Sequence, residues 1–150
     1  MGAPTRIELE AAFQKYLRLG AFERNWNAWA DLFTEDAYYY ECQYGTFHGR
    51  AAIRKWITSV MAGVPDMFFP SPKWVVLDAD RVCFCIENCY PDPKNLNGPA
   101  IGFPTFTCLQ YRDGLWCSEE DYYDVRASVA ARQAFRAAGG KAAPPIDSRR

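Results

Sequence analysis

The chain has 150 residues, the size of one ordinary domain, and such a length buries about 70% of its extended surface on folding. With 49% hydrophobic and 23% charged residues it is composed as a globular protein and not as a disordered one. A formal net charge of −1 and the lack of a basic stripe argue against a nucleic-acid partner, and no apolar run approaches the ~20 residues that span a bilayer, so no membrane partner is expected.

Thr5-Arg6-Ile7-Glu8 fits a capping box, and Leu9, Ala12, Phe13, Tyr16 and Leu17 follow at helical spacing. Gly20 is the expected C-cap of that helix. Asn25 then caps a second, short helix with Trp26, Trp29, Ala30 and Phe33 on one face. Ala37 to Cys42 is rich in aromatics and reads as a strand, and Gly45 to Gly49 reads as a turn. Residues 50–62 return to helical period, with Ile53, Trp56, Ile57 and Val60 on one stripe, and Gly63 and Pro65 end the helix. Lys73–Leu77 and Arg81–Tyr90 flank a polar turn and read as a hairpin. Ile101–Tyr111 and Leu115–Val125 flank Arg112-Asp113-Gly114, a strong hairpin signal. Ala127–Ala138 is the expected last helix. One domain over residues 1–138 follows, with 139–150 (GGKAAPPIDSRR) as a disordered tail.

Helices first and hairpins afterwards imply an α+β fold, with a strongly curved antiparallel sheet covered by the early helices. Such a sheet leaves a cavity beneath the helices, and aromatic residues at 16% are abundant enough to line it. The six cysteines fall in apolar, strand-like stretches, where they act as small hydrophobes. With one histidine and no C-x-x-C pair, no metal site is expected. Met1 to Glu10 carries no apolar segment of signal-peptide type, so the expected compartment is the cytoplasm.

Leu32-Phe33-Thr34-Glu35-Asp36-Ala37 before an aromatic strand, Phe47-His48-Gly49-Arg50 opening a helix, and Glu120-Asp121-Tyr122-Tyr123-Asp124 before a last helix occur in the order seen in one superfamily. Over about residues 5–135 the chain resembles SnoaL-like and ketosteroid isomerase proteins of the nuclear transport factor 2-like fold. That resemblance implies a cone-shaped domain around a deep pocket. It implies Tyr16 at the position of an oxyanion-binding tyrosine, Glu41 at that of the proton-moving carboxylate, and Thr107 where a protonated aspartate serves as the second oxyanion donor. The chain also resembles limonene-1,2-epoxide hydrolase, which puts Tyr39 and Asp121 at the positions of its water-holding tyrosine and one catalytic aspartate. The arginine and second aspartate of that enzyme fall at Ile86 and Asn88, which carry no charge.

Strand side chains alternate between faces, so Tyr39 pairs with Glu41, Thr105 with Thr107, and Glu119 with Asp121 and Tyr123. With the parity that the resemblance implies, all of them and Val82, Phe84, Ile86 and Asn88 face the pocket. A carboxylate in an apolar cavity is pushed toward its neutral form, and a nearby second one is pushed further, giving one donor and one acceptor near neutral pH. Glu41 with Asp121 is the preferred catalytic pair, assisted by Tyr16. Tyr39, Asn88, Thr107, Glu119, Tyr123, Trp56 and His48 are the expected substrate-binding residues. Blander readings stand beside these. Glu41 lies near a strand end, Asp121 lies in a run of acids of the kind that edges solvent, and Tyr16 suits a core equally well. Asp36 fits a brace at the turn into the strand, and Asp124 and Arg126 fit an anchor for the last helix. His48 fits a surface role better than that of a dehydratase acid or base.

Two functions follow. One is a cofactor-independent isomerase, dehydratase or cyclase acting on a small hydrophobic molecule of polyketide, steroid or terpenoid type. The other is a non-catalytic ligand-binding or assembly module. In either, a homodimer is expected through the outer sheet face, where Cys83, Cys85 and Cys89 would form a patch.

Overall fold

The computed structural model describes residues 2–146, and residues 147–150 of the expected tail lie outside the described residues. Helix α1 (Arg6–Leu17) leads into α2 (Trp26–Ala30), the hairpin β1 (Phe33–Glu41) and β2 (Gly45–His48), and helix α3 (Arg50–Ala62). Then come β3 (Trp74–Asp78), β4 (Arg81–Tyr90), β5 (Ile101–Arg112), β6 (Leu115–Tyr122) and the last helix, α4 (Val125–Ala137). The fold is α+β: one curved sheet in the order β2-β1-β6-β5-β4-β3, open at both edges. All neighbours pair antiparallel except β1 and β6, which run parallel. Among the described residues no helix is long and apolar enough to cross a membrane.

Local chemistry accounts for the element ends. Thr5 and Glu8 form the reciprocal capping box, the Asn25 side chain accepts from the Ala28 N–H, and Asp124 accepts from Arg126 at the head of α4. Asp113 and Gly114 both take positive φ, at 51° and 89°, which suits the tight β5–β6 turn. Asp36 is exposed and pairs with Arg112 at 2.5 Å, tying the bend in β1 to the base of that hairpin.

Two local expectations are corrected. Gly45–His48 is not merely a turn: it is a short strand on β1, because Tyr39 and Phe47 register directly opposite one another. Gly20 does not cap α1. The chain continues helically through a π-type turn, Arg18–Phe22, and Gly20 is buried there against α2. A Cβ at that position would lie 2.7 Å from Trp29 Cδ1 and 2.9 Å from Trp29 Nε1, so the glycine is a packing requirement. Part of the tail is also tied down. The Ala143 N–H donates to the Gly63 carbonyl at 2.8 Å, and the Gln43 side chain donates to the Ile146 carbonyl at 3.0 Å.

The core lies between the helices and the concave sheet face. Val82, Phe84, Ile86 and Tyr90 on β4 and Phe103 and Leu109 on β5 point into it, and so do Ile53 and Ile57 of α3 and Leu9 and Phe13 of α1. A register shift between Gln110 and Tyr111 lets Trp116 and Glu119 both face inward despite their odd spacing. Trp29 touches Phe33, Tyr16 and Trp26 edge to face or tilted, with centroids 4.8–5.6 Å apart, and holds α2 against the sheet. Gly20→Ala forces this indole to move, and we expect a loss of about 1–3 kcal/mol in urea unfolding, with the helix content by circular dichroism unchanged.

Candidate active site

The concave face does not close over a solid interior. A cavity of about 150 Å³ remains, walled by Tyr16, Trp29, Trp56, Ile57, Phe84, Ile86 and Phe103 among others. Its volume equals that of cavities that hold a single benzene-sized ring. Into this greasy space point three carboxyls, Glu41, Glu119 and Asp121. Glu41 is 4% exposed and Glu119 is 1% exposed, so neither is a solvated edge.

The backbone explains the convergence. Glu119 and Asp121 share a face of β6, and Asp121 is the Cα partner of Glu41 on the parallel strand β1. Thr107 of β5 partners Asp121 from the other side, and Tyr39 partners Glu119. The Tyr16 hydroxyl reaches in from α1 and donates to Glu119 Oε1 at 2.7 Å. The Tyr39 hydroxyl lies 2.9 Å from the same oxygen and 2.5 Å from Asp121 Oδ2, and its single proton serves one at a time. Thr107 Oγ1 donates to Asp121 Oδ1 at 2.5 Å.

This arrangement divides the charge. Burial raises the pKa of Asp121, but the hydroxyls of Thr107 and Tyr39 that bond to it work against the rise. Glu119 is raised well above its ordinary value, by burial first and by the Asp121 charge second, which favours its neutral form. Its Oε1 accepts from Tyr16, and its Oε2 is a buried atom with no hydrogen-bond partner among the described residues. Glu41 is the intermediate case. Burial pushes its pKa up to about 7; the Asp121 charge adds to the rise, and the N–H groups of Tyr44 and Gln43 hold it down. Glu41 Oε2 accepts from those two N–H groups, at 2.8 and 3.2 Å, and Glu41 Oε1 is buried without a hydrogen bond.

The expected residues separate clearly. Tyr16, Tyr39, Glu41, Trp56, Asn88, Thr107, Glu119, Asp121 and Tyr123 all line the cavity. Asn88 spends its amide on Thr105 at 2.8 Å, and Tyr123 donates to Gln43 at 3.1 Å. His48 does not join them. It is exposed at the end of β2 beside Tyr38, because Phe47 points toward Trp56 and its neighbour must point away. Tyr16 and Tyr39 are not free phenols awaiting a ligand oxygen, since both are engaged with carboxyls. Sequence reasoning underrated Glu119, whose acidic neighbours suggest water; its position opposite Tyr39 was the missing signal. It also missed Gln43, Tyr44 and Arg132, which complete the wall.

Residues 13–119 match the model of the SnoaL-like domain. The chain belongs to the SnoaL-like family. Similar solved structures include a protein of ketosteroid isomerase-like fold from Catenulispora acidiphila in complex with trimethylamine, 22% identical, covering 85% of this chain and 93% of that one at a TM-score of 0.65. An LEH-like epoxide hydrolase from M. tuberculosis is 15% identical, covering 89% and 96% at 0.67. TerC, co-crystallised with polyporic acid, is 18% identical, covering 86% and 98% at 0.65. No curated protein matches the sequence significantly. At these identities the structural likeness is one of fold, and fold by itself does not fix function.

The raised Glu41 pKa has a measurable consequence. Below about pH 4 the group is protonated in both states and its full contribution to stability is present. As pH rises toward 7 the unfolded chain ionises first, and the fold loses up to about 3 kcal/mol from this residue. Glu119 and Asp121 shift the same way. Urea unfolding of the wild type between about pH 5 and pH 8 should therefore lose stability, and Glu41→Gln should lose less by about 2–3 kcal/mol.

Proposed function

We propose that this protein is a cofactor-independent acid–base enzyme that moves a proton on a small, mostly apolar carbonyl or hydroxyl compound, as an isomerase, dehydratase or cyclase does. The observation that carries this reading is a pair of buried carboxyl oxygens on one cavity wall, Glu41 Oε1 and Glu119 Oε2, for which no other hydrogen bond is present. One belongs to a group titrating at about 7 and the other to a group held neutral. A base works best when its pKa lies near the operating pH, and a neutral acid is a strong donor to a developing oxyanion.

In this reading Glu119 donates its proton in a hydrogen bond to the substrate oxygen. Glu41, ionised above about pH 7, removes a proton from the adjacent carbon. The electrons of that C–H bond move onto the oxygen, where the Glu119 hydrogen bond stabilises them. Return of the proton from Glu41 to a different carbon completes an isomerisation. Expulsion of a neighbouring hydroxyl as water, protonated by Glu41, completes a dehydration. Asp121 keeps its charge on Thr107 and Tyr39, which holds Glu119 neutral and lifts Glu41. The catalytic pair therefore shifts from Glu41 with Asp121 to Glu41 with Glu119, with Asp121 as the group that tunes both. Tyr16 assists by fixing Glu119. A cavity of about 150 Å³ favours a compound of one or two rings over a steroid.

The test does not need the natural substrate. Small cyclic ketones, enones and hydroxyketones are incubated with protein in D2O, and deuterium entry next to the carbonyl is followed by NMR. Wild type should exchange at least one of them well above the buffer rate, and Glu41→Gln and Glu119→Gln should each slow it by about 10²–10⁴-fold. No exchange with any compound, or exchange that survives both variants, overturns the assignment.

A second copy of the chain is the partner we propose for the outer sheet face. Trp74, Val76, Phe106 and Tyr122 are 46–57% exposed there, and Trp74 and Phe106 lie 5.7 Å apart across β4. The cysteines contribute less than expected. Cys85 and Cys89 are buried, Cys85 between its register partners Trp74 and Phe106. Light scattering should give a dimer for wild type and a monomer for Phe106→Lys; a monomeric wild type removes this interface.

A further inference from the structure

Arg132 of α4 is only 7% exposed and lines the cavity, yet among the described residues it has no carboxylate partner. A buried cation is normally paired, because leaving water without a counter-charge costs several kcal/mol. Here Nε donates to the Tyr90 hydroxyl at 3.1 Å, and the Tyr44 phenol also faces the guanidinium. Burial disfavours its charge, but the phenols of Tyr90 and Tyr44 outweigh that effect and the group stays fully cationic.

Two more donors face the same region without acceptors. Trp56 Nε1 and the Tyr44 hydroxyl are both buried, and neither has an acceptor among the described residues. Tyr44, Trp56 and Arg132 belong at once to the wall of the deep cavity and to a second cleft of about 530 Å³. That cleft runs between α3 and the anchored segment at 143–146, and Lys55 is its other charged residue. The two spaces divide the charge between them: Glu41, Glu119 and Asp121 line the deep end, and none of the described residues that line the cleft is a carboxylate.

We propose that the Arg132, Tyr44 and Trp56 wall is an anion subsite, and that the ligand is a small apolar carboxylic acid. Its carboxylate takes the guanidinium, the phenol and the indole N–H, and its ring enters the deep cavity. A carboxylate supplies two acceptor oxygens, which can take hydrogen bonds from a guanidinium fork, a phenol O–H and an indole N–H together. This rests on the reading of the cavity as a substrate site and narrows that substrate: the reactive oxygen lies toward Glu119, and the anion lies beyond Trp56. A ligand without an anionic group leaves the buried cation without a counter-charge.

The test compares cyclohexanecarboxylate with cyclohexanecarboxamide by calorimetric titration at about pH 7.5. The two have nearly the same shape and differ in charge, and neither is a substrate. Wild type should bind the acid at least tenfold more tightly, the worth of about one charge-assisted hydrogen bond. Arg132→Gln should abolish or reverse that preference, and Glu41→Gln should keep it. Equal affinities in wild type, or a preference that survives Arg132→Gln, overturn the subsite while the amide still reports a working cavity. Binding of neither compound overturns the subsite and the cavity reading together. Where Arg132→Gln fails to fold, the wild-type comparison decides alone.

Discussion

The structure turns on burying an acid. Glu119 sits in an apolar cavity at 1% exposure and is held by phenols from α1 and β1 and by its neighbour on β6. Ionised, it would stand beside the Asp121 charge in a poorly solvating medium. Neutral, it serves as donor and acceptor in one network. Its protonation is thus a condition of the fold as well as of the chemistry proposed for it. Tyr16 and Tyr39, whose own pKa values burial raises well above the ordinary phenol range, stay protonated and can only donate or accept hydrogen bonds.

The same network joins distant parts of the chain. Tyr16 and Glu119 are separated by most of the sequence and meet at 2.7 Å, and Thr107 adds β5 through Asp121. Helix α1 is therefore located against the sheet by a polar contact inside an otherwise apolar layer, with Phe13, Phe84, Trp29 and Trp116 packed around the Tyr16 ring. The rings exclude water, which strengthens each hydrogen bond they enclose and raises the cost of leaving one unmade. Gly20 serves this arrangement from a distance, since it lets Trp29 come close enough to back Tyr16.

Much of this was legible in the sequence, for identifiable reasons. Strand alternation put Phe84, Ile86 and Asn88 on one wall and Thr105 and Thr107 on another, and the structure has them there. Helix α3 runs over the periodic stretch because Gly49 and Gly63 flank it. What stayed hidden depends on partners that no local pattern contains. Gly45–His48 becomes a strand only because β1 is there to pair with it. Gly20 looks like a terminator because its role is set by an indole on the next helix. Glu119 was placed on the pocket face by alternation, but its partner Tyr39 comes only from the parallel pairing of β6 with β1. Arg132 carries no signal at all in sequence, since a lone arginine on an amphipathic helix ordinarily faces water.

The departure at Thr107 gains a meaning from the geometry. The resemblance to ketosteroid isomerases puts a protonated aspartate at this position, and a hydroxyl there removes the neutral acid from that strand. Thr107 instead gives its proton to Asp121, and the neutral acid stands on the next strand, at Glu119, two residues before Asp121 and on the same face. A threonine can stabilise a carboxylate but cannot replace a carboxylic acid as a donor of comparable strength, so the two residues must change together: a hydroxyl on β5 anchors the charge, and that charge keeps the acid on β6 protonated. The chemistry would then survive a change of residue by moving one strand over, with Glu41 keeping its place on β1. That is how a shared fold can keep an acid, a base and an apolar wall while the residues that supply them differ from member to member.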